Sequence, residues 1–136
     1  MHRIVHIELE HWDVPQRNRE RIECSSVQTI REALSRLDGD KTDSLSIEIP
    51  SAGALMIGGG PDQFIIVSFP ADGSSSHVET DTAQIGSVEL QVGGQTGFYS
   101  PAMILSFDLA FAIAEHFFRE GEFDSSLGWV QDCPPE

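Results

Sequence analysis

Apolar and polar residues alternate from the first positions of the chain. Arg3, Val5, Ile7 and Leu9 point to one side of an extended backbone, and His2, Ile4, His6 and Glu8 to the other. A period of two marks a half-buried strand. Residues 15–21 are polar throughout and predict a loop. From Val27 the period becomes helical, through Ile30, Ala33, Leu34 and Leu37, with Ser25 or Ser26 as cap and Gly39 as stop signal. Leu45, Ile47 and Ile49 return to strand alternation, which Pro50 ends. Two short apolar runs, residues 54–57 and 64–69, flank Gly58-Gly59-Gly60-Pro61-Asp62 and predict a hairpin whose loop needs unusual backbone angles. Residues 72–76 read as a turn, residues 77–80 and 87–92 as short strands, and Gly93-Gly94 as a reversal toward Phe98 and Tyr99.

The strongest periodic element comes last. Phe107, Ala110, Phe111, Ala114, Phe117 and Phe118 form one stripe, widened by Leu109 and Ile113, between a Ser106 cap and Gly121 just past the end. The order of elements predicts an α+β fold, a mainly antiparallel sheet of about five or six strands packed against two helices. Residues 1–136 read as one domain, with 40% apolar content and eight Phe to fill a core. The N-terminal residues carry no signal-peptide pattern, no later run is long enough to span a bilayer, and Cys24 and Cys133 form no metal or redox spacing. A reduced, cytoplasmic chain is the expectation.

Charge changes this picture. Up to Leu37 six basic and six acidic residues cancel, and after it sixteen acidic residues face only Lys41 and Arg119, so the formal charge of −14 sits in the last three-quarters. This is the opposite of a nucleic-acid footprint, which would be a basic patch that neutralises phosphates. A one-signed field repels itself, and it is useful where the partner is strongly positive. Its carboxylates group as Asp38, Asp40 and Asp43, as Glu79 and Asp81, and as Glu120, Glu122 and Asp124.

Catalytic and metal patterns are fragmentary. His77-Val78-Glu79 matches half of a zinc-deaminase signature, and the Pro-Cys-x-x-Cys half is missing. His2, His6 and Glu8 share a strand face, with Glu10 and His11 nearby, and lack a closed ligand set. His116 beside Glu115 reads as a surface residue, and no Lys-Ser/Thr follows the triple glycine to make a phosphate loop. The expectation is therefore a binding protein with no metal, no cofactor and no turnover. A minor hydrolase would need a catalytic group that the sequence does not offer.

The segment Ala54-Leu55-Met56-Ile57-Gly58-Gly59-Gly60, the apolar strand after it, and the ending Ala110, Ala114, Phe117-Phe118, Gly121, then Leu127-Gly128-Trp129 resemble immunity protein family one of bacterial polymorphic toxin systems. The resemblance covers about residues 45–131. It departs from the family's pattern at Asp124-Ser125-Ser126, where a Pro is common. It implies a small cytosolic α+β protein that neutralises a cognate toxin domain, often a nucleic-acid deaminase. Gly58, Gly59, Gly60, Gly121 and Trp129 carry over as marks of the fold. Together with the charge, this makes Asp38, Asp40, Asp43, Glu79, Asp81, Glu120, Glu122, Asp124 and Trp129 the candidate contacts to a basic toxin, Trp129 being either a core lid or an interface anchor. An acidic secretion chaperone or adaptor is the competing expectation.

Overall fold

The computed structural model describes residues 4–12 and 16–135, and Asp13 by its backbone alone. The proposed ligand His2 and the strand position Arg3 lie outside these residues. Nine strands and two α-helices follow in the order β1 (His6–Asp13), β2 (Gln16–Glu23), α1 (Val27–Ser35), β3 (Thr42–Ile49), β4 (Gly53–Gly59), β5 (Phe64–Pro70), β6 (Ser75–Val78), β7 (Val88–Val92), β8 (Gln95–Tyr99), α2 (Phe107–Glu120) and β9 (Trp129–Cys133). A 3-10 turn, Pro101–Met103, precedes α2. Seven strands form one antiparallel sheet in the order β2-β1-β3-β4-β5-β6-β9, and β7 and β8 form a separate hairpin. The α+β class is as expected, with a wider sheet.

Two of those strands were not expected. Residues 16–23 have no apolar alternation, yet β2 pairs with β1 along its whole length. Cross-strand charge takes the place of apolar burial. Arg17 and Arg19 reach Glu10, Arg19 and Arg21 reach Glu8, and Arg21 also reaches Glu48, at 3.5–3.9 Å. On the other face Glu20 accepts hydrogen bonds from Arg36 of the α1 C-cap, and a ring nitrogen of His11 lies 2.9 Å from it. Those partners, Arg36 first, hold the Glu20 carboxyl down at about 2. The second unexpected strand, β9, pairs with β6, far earlier in the chain.

One face of the sheet is apolar. Ile7 and Leu9 of β1, Leu45 and Ile47 of β3, Leu55 and Ile57 of β4, and Phe64 and Ile66 of β5 bury there against Ile30 and Leu34 of α1 and Ala110, Ile113, Ala114 and Phe117 of α2. The helix ends follow local chemistry. Ser26 Oγ accepts from the Thr29 amide, and Ser106 Oγ from the Leu109 amide. Asp62, in the β4–β5 loop, accepts from the Phe107 amide at 2.9 Å and so places a carboxylate at the positive end of α2. Gly121 closes α2 with φ of 69°. Phe117 stacks on Phe123 and Phe123 meets Trp129 edge-on, which caps the core beside β9.

The opposite face is open along β2, β1 and β3, and the β7–β8 hairpin lies across it. Gly58 is what lets the hairpin approach: a Cβ there would sit 2.5 Å from the Val92 side chain. Gly60, with φ of +113°, lies where a Cβ would meet the Leu37 carbonyl, so β4 turns tightly against the end of the α1 loop. The expectation of unusual backbone angles is thus met, and the glycines' role is packing. Gly93 and Gly94, both with positive φ, make the two-residue turn of the hairpin, and Gly94 lies against the Trp12 ring.

Candidate functional site

In an antiparallel sheet alternate connections gather at the same end. The starts of β3, β5 and β9 and the ends of β1, β4 and β6 all lie at one end here. The connections at that end carry Asp38 and Asp40 before β3, Asp62 between β4 and β5, Glu79 and Asp81 after β6, and Asp124 before β9. The Glu79 amide donates to the Gly128 carbonyl at 2.8 Å, which joins the last two groups. Glu120 and Glu122 are exposed at the end of α2 that leads into this loop. Carboxylates that are dispersed in sequence therefore share one rim of the fold.

Their surroundings differ. Asp38 is exposed, and its Oδ1 accepts from the Asp40 and Thr42 amides at 2.9 and 3.0 Å. Partial desolvation raises its pKa, and the amide hydrogen bonds outweigh that and lower it below the ordinary value. Asp124 is lowered in the same way by the Ser126 hydroxyl and amide. Asp40 and Asp81 are exposed. Trp129 is half-buried, and its indole N–H donates to the Asp124 carbonyl at 2.7 Å. It packs on the core as a lid and is no protruding anchor.

Asp43 is a correction. Its grouping with Asp38 and Asp40 predicts an exposed carboxylate, and it is fully buried. Trp12 Nε1 donates to Oδ1 at 2.9 Å, while Gln91 Nε2 and the Gly94 amide donate to Oδ2 at 3.0 and 2.7 Å. A β-bulge opposite His11 turns it inward. The side chain fastens the tip of the hairpin to β1 and β3, and it cannot meet a partner.

Glu79 is half-buried and belongs to a second arrangement that sequence spacing did not reveal. His77 lies between two carboxylates, Nε2 2.7 Å from Glu79 and Nδ1 2.9 Å from Asp132 of β9. Burial pushes the imidazole pKa down, and the hydrogen bonds to Glu79 and Asp132 outweigh it, so the pKa is raised. A histidine engaged at both nitrogens favours its charged form, which suits a clamp between strands and leaves no free nitrogen for a metal. On β1, alternation puts Glu8 and Glu10 on the open face with their arginines, whereas His11 faces α1 and sits 2.9 Å from the Thr42 hydroxyl. Among the described residues no three His, Cys, Asp or Glu side chains are grouped to hold a metal ion. His116 approaches Asp124 at 3.9 Å.

From the rim, residues 80–102 make an excursion onto the open face, and residues 81–87 are exposed throughout. The Thr80 amide and hydroxyl both donate to the Ala102 carbonyl, at 2.6 and 3.1 Å, and close the neck of this excursion. Inside it Leu90 and Val92 pack inward near Gly59 and Gly58. Outward stand Glu89 and Phe98, paired across the hairpin, with Phe98 71% exposed, and Ile85 is 95% exposed in the preceding loop. Sequence reasoning missed all three. The available signal was Glu89 and Phe98 at mirror positions about the Gly93-Gly94 turn.

No family model matches the chain, and no curated protein does. A crystal structure of a hypothetical protein from Neisseria gonorrhoeae is similar, with 16% identity and a TM-score of 0.58 over 90% of this chain and 91% of that one. The likeness is one of fold. No helix among the described residues is long and apolar enough to cross a membrane.

Proposed function

We propose that this protein is an immunity-type inhibitor that binds a basic toxin domain, one acting on nucleic acid such as a deaminase, and occludes its substrate-binding face. The observation that carries the reading is the acidic rim, where Asp38, Asp40, Glu79, Asp81 and Asp124 lie at one end of the sheet in a chain without Lys or Arg between Thr42 and Phe118. A surface that binds phosphates is positive, and a rim of carboxylates competes for it by like charge. The resemblance of residues 45–131 to immunity protein family one supports the same reading. Association is then steered over about a Debye length, roughly 10 Å at 0.1 M salt, and slows steeply as salt rises. Co-expression with the product of the gene immediately upstream tests it. Cells expressing both proteins are expected to grow, and the two to co-purify. Equal killing with and without this protein, or failure to co-purify, would overturn the proposal; co-purification without protection would point to a secretion adaptor.

A further inference from the structure

We propose that the outer face of the β7–β8 hairpin is an arginine-binding contact, built from the ring of Phe98 and the carboxylate of Glu89, for a basic protein partner. This rests on the reading above that the partner is basic. The two residues are direct cross-strand partners and both are exposed, so their side chains stand next to each other, with Cβ atoms typically about 4.5–5.5 Å apart. An exposed aromatic beside a carboxylate offers a guanidinium both of its preferred contacts at once. The planar group stacks on the ring while its N–H fork donates to the carboxylate. The chain itself uses the stacking half of this geometry, with Arg31 lying 4.9 Å from the Phe111 ring centroid and 5.5 Å from that of Phe107.

Three further features point to recognition. The hairpin is held in advance, by Asp43 at its tip, by Val92 over Gly58, and by the Thr80–Ala102 neck, so binding orders little. Residues 80–102 contain Asp81 and Glu89 and no Lys or Arg, so nothing within the excursion competes for the site. Gln91, on the same strand as Glu89, donates to the Asp40 carbonyl, which brings the Asp38–Asp40 loop beside this face. Charge selects the occupant. A second copy with its −14, a nucleic acid and an acidic lipid surface are all repelled, and an arginine-bearing protein surface is attracted.

The test is an amide NMR titration at low salt with the peptide Gly-Arg-Gly-Arg-Gly and its lysine counterpart, on the parent, Phe98→Leu and Glu89→Gln proteins. Both positions are exposed, so the variants are expected to keep the parent spectrum elsewhere. The arginine peptide should shift the Glu89 and Phe98 amides saturably, and the lysine peptide should bind roughly threefold more weakly. Phe98→Leu should erase the arginine preference, and Glu89→Gln should weaken both peptides by roughly threefold to tenfold. Largest shifts elsewhere on the rim, or equal response to the two peptides on the parent, would overturn the inference. Cell protection reports separately on the function. Protection by the parent with no arginine preference on the hairpin removes this contact alone. Arginine preference on the hairpin without protection removes the immunity reading and leaves the contact standing.

Discussion

Helix α2 and the β7–β8 hairpin lie on opposite faces of the same sheet and are held by opposite means. The helix is held by area: Ala110, Ile113, Ala114 and Phe117 are buried in a continuous apolar layer. The hairpin is held at points, a buried carboxylate receiving three donors and a valine seated over a glycine. Area is written locally, as a periodic stripe within fourteen residues. Points join residues tens of positions apart and leave no period. The consequence is a difference in failure. Losing one member of a layer costs packing, whereas losing a latch releases the whole element it holds.

The largest expected effect is on the layer. Phe117→Ala should cost about 3–5 kcal/mol of unfolding free energy in denaturant titration. Phe111 belongs to the same stripe, and it is half-buried beneath Arg31. Its partial exposure brings the expectation down to about 2 kcal/mol. A smaller loss for Phe117 than for Phe111 would mean that the stripe faces the core differently.

Asp43→Asn should cost about 2–4 kcal/mol, because one amide oxygen replaces two acceptor oxygens and the new NH2 confronts either the Trp12 donor or those of Gln91 and Gly94. The distinguishing measurement is hydrogen exchange. Amides of residues 91–95 should lose protection while those of α2 keep theirs. Uniform loss in both elements would show that the hairpin is not a separately released unit.

Gly58→Ala sharpens the same contrast, since the added methyl meets Val92. About 1–3 kcal/mol is expected, and the double variant with Val92→Ala should recover part of it. Recovery of nothing would place the strain in the backbone of β4.

The smallest effect concerns the His77 clamp. A pKa raised in the folded state contributes stability that is fully present below the unfolded value, near 6.5, and is lost as pH rises through the folded value. The parent should therefore lose stability above pH 6.5 relative to His77→Gln, and protection of residues 129–133 should fall in the same window. A flat difference between the two proteins would rule out the charged clamp.

What could be read from the sequence follows the same division. Ser106 and Gly121 bound α2 as expected, and Ser26 caps α1, because caps and periods are local. The hairpin across Gly93-Gly94 was legible from its turn residues. β2 has the pattern of a loop because Arg17, Arg19 and Arg21 hide a strand whose partners are the carboxylates of β1 and β3. β9 was missed because it is ordered by β6, and Asp43 because nothing beside it in the chain announces Trp12, Gln91 and Gly94. The candidate site was legible as a charge bias. Its collection at one end needed the strand order, and its exposed Phe98 needed the hairpin's register.

The arginine row of β2 has a consequence beyond the ion pairs it makes. β2 is an edge of the sheet, and an edge strand with free backbone groups is a template on which another chain can add itself. A second copy arriving edge to edge would set Arg17, Arg19 and Arg21 against the same three residues, and like charges facing one another across strands repel. At the far edge, β9 is short, carries Asp132, and runs into Pro134 and Pro135, which have no amide hydrogen to donate. Both borders of the sheet are thus guarded against accretion, and the segment with the least strand-like composition is one of the guards.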